Sequence, residues 1–289
     1  MAESRSNTLA PDYGLDAPAV VRNLLLGGAA GLLLWGTVAT GLWSGRFVIG
    51  PIAGLTIFLP LANMGLSLGL GLTAMGLWMI WSSKIGKIKT RERLLDHLAW
   101  AGHEQVLDVG CGRGLMLIGA AKRLTTGKAT GIDIWQAEDL SGNRPEATLE
   151  NARRENVAER VEVQTADMRR LPFPEGTFDV VLSCAAIHNI YSSADRAKAI
   201  SEIARVVKPG GQILIDDIRH LHEYAATFAE RGCKNVRRVS SRAVTVLLTL
   251  ITMGSLRPAT ILVRKAAGEA GAGSHPGPER DSERQGGVS

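Results

Sequence analysis

Between Arg22 and Lys84 the chain carries one charged residue, Arg46. A stretch of that length without charge does not belong on the surface of a water-soluble domain. Asn23–Gly45 reads NLLLGGAAGLLLWGTVATGLWSG, and about 20 apolar residues suffice for a helix to cross a hydrocarbon core roughly 30 Å thick. A secretory signal would have a shorter apolar core, about 7–15 residues, directly behind a basic start. This run is longer and begins beyond residue 20, so a retained anchor is expected. Phe47–Ser83 is a second charge-free run. One straight helix over it would measure about 55 Å, so Pro51 and Pro60 are expected to divide it. The second span is then Ala62–Trp81. Residues 47–60 become a hairpin loop, a re-entrant piece or a helix extension, since a third crossing of about 14 residues would be too short. Gly27, Gly28, Gly31 and Gly36 lie along the first span, and Gly65, Gly69, Gly71 and Gly76 along the second. Small residues let two helices approach closely, but glycine is also simply frequent in membrane helices.

Lys84, Lys87, Lys89, Arg91 and Arg93 follow the second span, offset by Glu92 alone. Short flanks rich in Lys and Arg stay in the cytoplasm, so two spans put both chain ends there. The same cations could hold anionic head groups, each adding on the order of 1 kcal/mol. The rest of the 289 residues has ordinary charge density and a net charge of +5. That is too weakly basic to argue for nucleic acid. Three widely spaced cysteines, Cys111, Cys184 and Cys233, offer neither a disulfide framework nor a zinc site, which suits a reduced cytosolic setting.

The expected organisation is an N-terminal arm (1–21), a transmembrane hairpin (22–82), a basic linker helix (83–103), an α/β domain (104–265) and a disordered Gly-, Ser- and charge-rich tail (266–289). Leu94, Leu95 and Leu98 give the linker an apolar stripe. Beyond it, strand and helix patterns alternate, as in a parallel sheet covered on both faces. Strands are expected at 105–109, 128–133, 161–165, 178–183, 212–216, 235–239 and 259–264, with helices at 115–124, 145–155 and 194–207. The apolar patch Val244–Met253 reads equally as core, substrate lid or lipid-touching surface.

The first strand runs into Asp108-Val-Gly110-Cys-Gly112-Arg-Gly114. A glycine-rich turn between strand and helix lets a ligand approach the backbone. The dinucleotide fingerprint is G-x-G-x-x-G; here the glycines alternate strictly. Asp108, two residues before them, suits a ligand with an ammonium group and would be awkward beside a pyrophosphate. Asp133 ends the second strand about 20 residues on, where a carboxylate can accept ribose hydroxyls, and Ile134 beside it can pack on an adenine face. Asp167-Met168 closes the third strand, where a carboxylate could take the adenine amino group. Three acidic positions at successive strand ends point to one nucleoside.

VLDVGCGRG, GIDIW, ADMRRLPFPEGTFDVVLS and RVVKPGGQILIDD resemble, in order and spacing, the motifs of class I S-adenosylmethionine (SAM)-dependent methyltransferases. The likeness is to the group that includes the ubiquinone/menaquinone-type enzymes, over about residues 104–265. It implies a Rossmann-like seven-stranded sheet with the last strand antiparallel, here preceded by a two-helix transmembrane hairpin. It also implies that Asp108, Gly110, Gly112 and Gly114 hold the methionine end of SAM, Asp133 the ribose, and Asp167 with Met168 the adenine. Cys111, which fills space in the turn, and Ser183, closing the fourth strand, join Ile134 among the expected cofactor positions. The hairpin departs from the soluble members, so their substrates do not carry over.

The SAM methyl is already activated by its sulfonium, so catalysis rests on placing a nucleophile in line. A base is needed for a hydroxyl or acidic carbon. His188 follows the fourth strand, on the side where ligand clefts open in such sheets. It is either that base or a residue that closes over SAM or caps a turn. Asp216, Asp217, His220 and His222 follow the fifth strand and could line the same cleft, but His220 and His222 alone fall short of a metal site. The polar insertion from Trp135 to Asn143 either shapes the site or is a solvated loop. A membrane-anchored enzyme acting on a small lipophilic acceptor at the cytoplasmic face, with lipid as its other partner, is the leading expectation. A soluble or protein acceptor, or a non-catalytic SAM sensor, are the rivals. The oligomeric state is not legible.

Overall fold

The apolar runs become two long helices packed side by side, α1 (Pro18–Ala39) and α2 (Leu61–Trp81). The structure, a computed structural model, describes residues 10–52, 55–233 and 235–267. The expected disordered tail lies, from residue 268, outside the described residues. α1 starts four residues before Arg22, with Pro18 in its first turn, where a missing N–H is harmless. It also ends earlier than the apolar run, before the positive-φ residues Gly41 and Gly45. The helices cross on glycine. A Cβ at Gly31 would stand 2.7 Å from the Gly65 carbonyl oxygen, and one at Gly69 would stand 2.8 Å from the Leu32 nitrogen. Gly36 and Gly71 meet nothing, so close packing explains some of the spans' glycines and not all. The outward faces stay apolar: Leu26, Leu33, Leu68, Leu77 and Trp78 are all exposed. By length and composition both helices can cross a membrane.

Residues 47–60 are not a helix extension but a hairpin of strands between the two helices. They form an antiparallel ribbon, β1 (Arg46–Ile52) and β2 (Leu55–Pro60), with Val48 opposite Phe58. Phe47, Val48, Ile49, Thr56, Ile57 and Phe58 are β-branched or aromatic and favour a pleated strand. Pro51 falls where the register shifts, a position that spares the ladder.

α2 ends at Trp81, the expected span end, but the chain stays helical beyond it. It passes through one π-turn, Ser82–Gly86, into α3 (Lys87–Leu95). The linker helix is therefore shorter than the expected 83–103. It ends where the Trp100 indole donates to the Leu95 carbonyl at 2.9 Å, satisfying one of the carbonyls a helix end leaves free. Leu94, Leu95 and Leu98 are buried against α4 (Leu115–Ala121). The linker is thus part of the domain's core rather than a tether beside it.

The domain is a seven-stranded sheet in the order β5-β4-β3-β6-β7-β9-β8. Its strands are β3 (Gln105–Val109), β4 (Lys128–Asp133), β5 (Val161–Thr165), β6 (Phe178–Cys184), β7 (Val207–Asp217), β8 (Asn235–Arg238) and β9 (Ala259–Arg264). β9 runs antiparallel to both neighbours; every other pairing in the sheet is parallel. β7 starts five residues before the expected 212, continuing directly from the helix before it. Alternation along β3 sends Leu107 and Val109 to one core and Val106 to the other. α6 (Ser193–Val206) and α7 (Leu221–Glu230) cover the first face. α3, α4 and α5 (Pro145–Arg154) cover the second. The last helix, α8 (Arg242–Ile251), lies between β8 and β9.

One buried cluster joins these parts. The Arg91 guanidinium reaches Glu155 Oε1 at 2.9 Å and the Tyr13 hydroxyl at 2.9 Å, while Lys122 reaches Glu155 Oε2 at 2.6 Å. The Tyr13 hydroxyl also donates to Glu155. Burial would raise the Glu155 carboxyl, but hydrogen bonds from Arg91, Lys122 and Tyr13 prevail and bring it down to about 2. A depressed carboxylate stabilises the fold above its unfolded value, and that stability is lost as pH falls toward the folded value. Glu155→Gln should therefore lower the melting temperature at pH 7. Its deficit relative to the parent should shrink as pH drops from about 4.5 toward 2, which thermal unfolding across that range will measure.

Candidate functional site

Ligands of open α/β sheets bind beyond the carboxyl ends of the strands. A cavity of about 870 Å³ opens there, between the ends of β3, β4 and β6. Its floor is the glycine turn. Gly110 has φ +75°, and a Cβ on it would stand 2.3 Å from the Ala186 Cβ, so this position requires glycine on two counts. The turn is held from behind by α5. Thr148 donates to the Gly112 carbonyl at 2.6 Å, and Asn151 donates to the Arg113 carbonyl at 3.0 Å. Both side chains are buried.

Gly110, Gly112, Asp133, Ile134, Asp167 and Met168 all line this cavity. Asp133 accepts from the Gly112 N–H at 2.8 Å and from the Trp135 N–H at 2.6 Å. The carboxylate is thereby locked to the turn while still facing the cavity. Ile134 is 51% exposed although apolar, an available platform for a flat ring. Asp167 is clamped by Arg169, whose guanidinium lies 2.5 Å away. That contact holds its carboxyl below the usual range, so a ligand amino group must share or displace the clamp.

The other sequence-derived positions stand behind the cavity wall. Asp108 is buried beneath the turn and accepts from the Leu117 N–H at 2.8 Å, bracing α4 rather than facing the cavity. Burial pushes its carboxyl up to about 7 against that hydrogen bond, with Asp133 adding to the rise. Cys111 is buried with its thiol pushed far up by burial; its backbone N–H bonds the Ile132 carbonyl. Gly114, at φ +86°, begins α4 against Thr148. Ser183 Oγ donates to the Val109 carbonyl at 2.9 Å, tying β6 to β3. His188 does not line the cavity, although its neighbour Asn189 does. Its Nδ1 lies 2.6 Å from the buried Asp217 Oδ1, out of line for a well-directed hydrogen bond, and its N–H donates to Asp217 Oδ2 at 3.1 Å. Asp217 also accepts from Tyr224 and the Ile218 N–H.

The adjacent Asp216 does line the cavity, beside Cys184. It accepts from Thr260 Oγ1 at 2.6 Å, and burial raises its carboxyl. At a strand end successive side chains point to opposite faces, so one of two adjacent aspartates faces the cleft and the other the core. Sequence alone does not say which. Sequence reasoning also missed the far wall, made by Tyr13 and Asp16 of the arm and by Ser82, Gly86, Lys87 and Thr90 at the base of the hairpin. The arm is anchored there: Lys87 Nζ meets Asp16 Oδ1 at 2.7 Å, and the Asp16 N–H donates to Ser83 Oγ at 3.3 Å. Leu15 accepts from the Ser141 N–H, and Asp16 bridges Leu140. The insertion 135–143 is thus not merely a solvated loop. Among the described residues no cluster of metal-ligating side chains occurs.

Residues 107–215 match the family model described as a methyltransferase domain. The 27-O-demethylrifamycin SV methyltransferase of Amycolatopsis mediterranei is 30% identical over 60% of this chain and 60% of its own length. The demethylmenaquinone methyltransferase of Lactiplantibacillus plantarum is 30% identical over 43% of this chain and 49% of its own length. The phthiotriol/phenolphthiotriol dimycocerosates methyltransferase 1 of Mycobacterium ulcerans is 29% identical over 54% and 53%. The chain spans about half to three fifths of the length of these relatives. Among solved structures, the [4+2]-cyclase SpnF superposes with a TM-score of 0.50 at 20% identity, over 63% of this chain and 81% of that one. That similarity speaks to the fold alone. By the family match, residues 107–215 form a domain of the SAM-dependent methyltransferase class. SAM is the cofactor of that class, and the cavity fits it: a carboxylate faces inward from the end of β4, an exposed apolar platform adjoins it, and the floor leaves no room for a Cβ.

The raised Asp108 carboxyl has a measurable consequence. A carboxyl whose folded value exceeds its unfolded one stabilises the fold below the unfolded value, near 3.8, and that stability is lost as pH rises through about 7. Asp108→Asn keeps an acceptor for the Leu117 N–H and removes the charge. Its melting temperature should match the parent's near pH 4 and exceed it at pH 8; a constant difference across that range would contradict the assignment.

Proposed function

We propose that the protein is a membrane-anchored methyltransferase that transfers the SAM methyl group to a small lipophilic acceptor at the cytoplasmic membrane surface. One observation carries this reading: a single cavity is lined both by Gly110, Asp133 and Asp167 and by Ser82, Gly86 and Lys87 at the foot of the apolar hairpin. A molecule dissolved in the bilayer can reach the cofactor end of that cavity with little exposure to water. Relatives named for menaquinone and phthiotriol lipid substrates agree with such an acceptor. The cluster Lys84, Lys87, Lys89, Arg91 and Arg93 supports a cytoplasmic domain.

When bound, SAM supplies an electrophilic methyl on a sulfonium. Asp133 would accept the ribose hydroxyls with the oxygen capacity that Gly112 and Trp135 leave. Ile134 and Met168 would flank the adenine, and Asp167 would take its amino group by sharing Arg169's hold. The backbone at Gly110 and Gly112 would lie against the methionine portion. Asp216 is the group in position to accept a proton from a hydroxyl or acidic carbon, since its carboxyl faces the cavity and burial raises its proton affinity. His188 braces the β6 turn through Asp217 instead.

Purified protein given SAM and a membrane lipid extract should release S-adenosylhomocysteine, and Asp133→Ala should weaken SAM binding by about tenfold or more in calorimetry, as expected for loss of about 1.4 kcal/mol or more. Folded protein that binds no SAM would remove the proposal. In single-turnover assays on an accepted lipid, Asp216→Asn should slow methyl transfer by about 100-fold, the scale of general-base catalysis, with SAM affinity unchanged. His188→Asn should slow it far less; the reverse order would return the base role to His188.

A further inference from the structure

α8 is built inside out. In a helix packed on a soluble domain the apolar stripe faces the core and polar residues face water. Here the threonines face the protein. Thr245 Oγ1 donates to the Pro258 carbonyl at 2.6 Å, Thr249 Oγ1 to the Leu256 carbonyl at 3.3 Å, and Thr252 Oγ1 accepts from the Leu256 N–H at 3.0 Å. These positions recur at helical spacing along one face. Val246, Leu247 and Leu250 turn outward, and Met253 just beyond is 96% exposed. None of the described side chains of α8 is buried.

The surroundings are cationic. From Arg231 to Ala267 the sequence contains no Asp or Glu. Arg219, Arg237, Arg238, Arg242 and Arg257 are exposed, and among the described residues none of them forms an ion pair. Exposed leucines rimmed by unpaired arginines are the composition of a helix lying in a lipid interface, with its apolar face below the head groups and its cations beside anionic ones.

The topology puts this face where a membrane would be. β8 runs parallel to β7 and ends, like it, at the cavity end of the sheet, and β9 starts there, with Ala259 opposite Asp217. The segment after α8 is pinned to the same end: the Arg257 N–H donates to the Ile218 carbonyl, and Arg219 donates to the Ser255 carbonyl at 2.7 Å. Ile218 lines the cavity. So do Ser82 and Gly86, where α2 leaves the domain. The foot of the apolar hairpin and the segment that follows α8 thus both meet the rim of one cavity.

We propose that α8 is a second membrane contact, an amphipathic helix whose Val246, Leu247, Leu250 and Met253 enter the cytoplasmic leaflet while its flanking arginines engage anionic lipid. The hairpin fixes the domain at one point, and α8 fixes its tilt, so that the cavity mouth between them is held against the bilayer. This rests on the hairpin being a membrane anchor, and the experiment separates the two. Full-length protein with Cys184→Ala, carrying one introduced thiol labelled with an environment-sensitive fluorophore, is placed in nanodiscs of phosphatidylcholine and phosphatidylglycerol with and without acyl-chain spin-labelled lipid. The thiols are Leu33→Cys on α1, Met253→Cys beside α8, and Glu175→Cys, 76% exposed in the turn before β6 at the opposite end of the sheet. Quenching is expected at 33 and 253 and not at 175. Adding Leu247→Glu and Leu250→Glu should abolish quenching at 253 and leave it at 33. Quenching at 33 without quenching at 253 overturns the role of α8 and leaves the anchor standing. Loss at both positions overturns the anchor and the α8 contact together, and quenching at all three, or quenching at 253 that survives both glutamates, overturns the specific contact.

Discussion

The Arg91 guanidinium is the contact on which the relation between hairpin and domain depends. It is buried, with Glu155 from α5 on one side and Tyr13 from the arm on another. Its stem packs so closely on α4 that a Cβ at Gly119 would stand 2.5 Å from Arg91 Cδ. A buried charge is tolerated only when paired and hydrogen-bonded, so this arginine can occupy one place only. Because α3 continues from α2 through a single π-turn, fixing Arg91 also fixes the direction in which the apolar hairpin leaves the domain. A flexible tether would leave the cavity free to face anywhere; a continuous helix with a buried ion cluster does not.

The arm follows from the same contact. Tyr13 brings Asp12, Gly14 and Asp16 across the mouth of the glycine turn, where Asp12 meets Arg113 at 2.9 Å and Asp16 meets Lys87 at 2.7 Å. The insertion after β4 pairs with the arm through Leu15 and Ser141. Three segments far apart in sequence therefore build one wall of the cavity. The opposite wall is built by the ends of β6 and β7, where neighbouring aspartates divide the work. Asp217 is saturated by His188, Tyr224 and Ile218, and Asp216 is left toward the cavity.

The apolar hairpin and the cavity meet at one end of the molecule. Parallel strands bring their carboxyl ends, and hence the cavity, to one end of the sheet. α3 runs opposite to the strands and so delivers the hairpin to that same end. β9, reversed in the sheet, lets α8 sit there too. The arrangement suits the proposed lipophilic acceptor, since carrying such a molecule through water would cost the apolar transfer energy, about 25 cal/mol for each Å² exposed.

The alternation of strand and helix, the strictly alternating glycines after Asp108, and the charge-free runs on either side of Arg46 were enough to determine the sheet, the cofactor class and the two long apolar helices. These are local or periodic signals, carried by residues whose conformation depends on their immediate neighbours. Asp133, Ile134, Asp167 and Met168 were legible as cavity residues for the same reason: each stands at the end of a recognisable strand. What tertiary structure alone decided was direction and partnership. Asp108, Cys111, Ser183 and His188 belong to the right segments, but their side chains turn to Leu117, the inside of the turn, Val109 and Asp217. The ribbon at 46–60, the wall made by Tyr13 and Lys87, and the outward leucines of α8 depend on which surfaces meet across the chain. Hydrophobic pattern states that a residue avoids water; whether it does so against its own core or against lipid is decided only when the chain has folded and shown which faces remain uncovered.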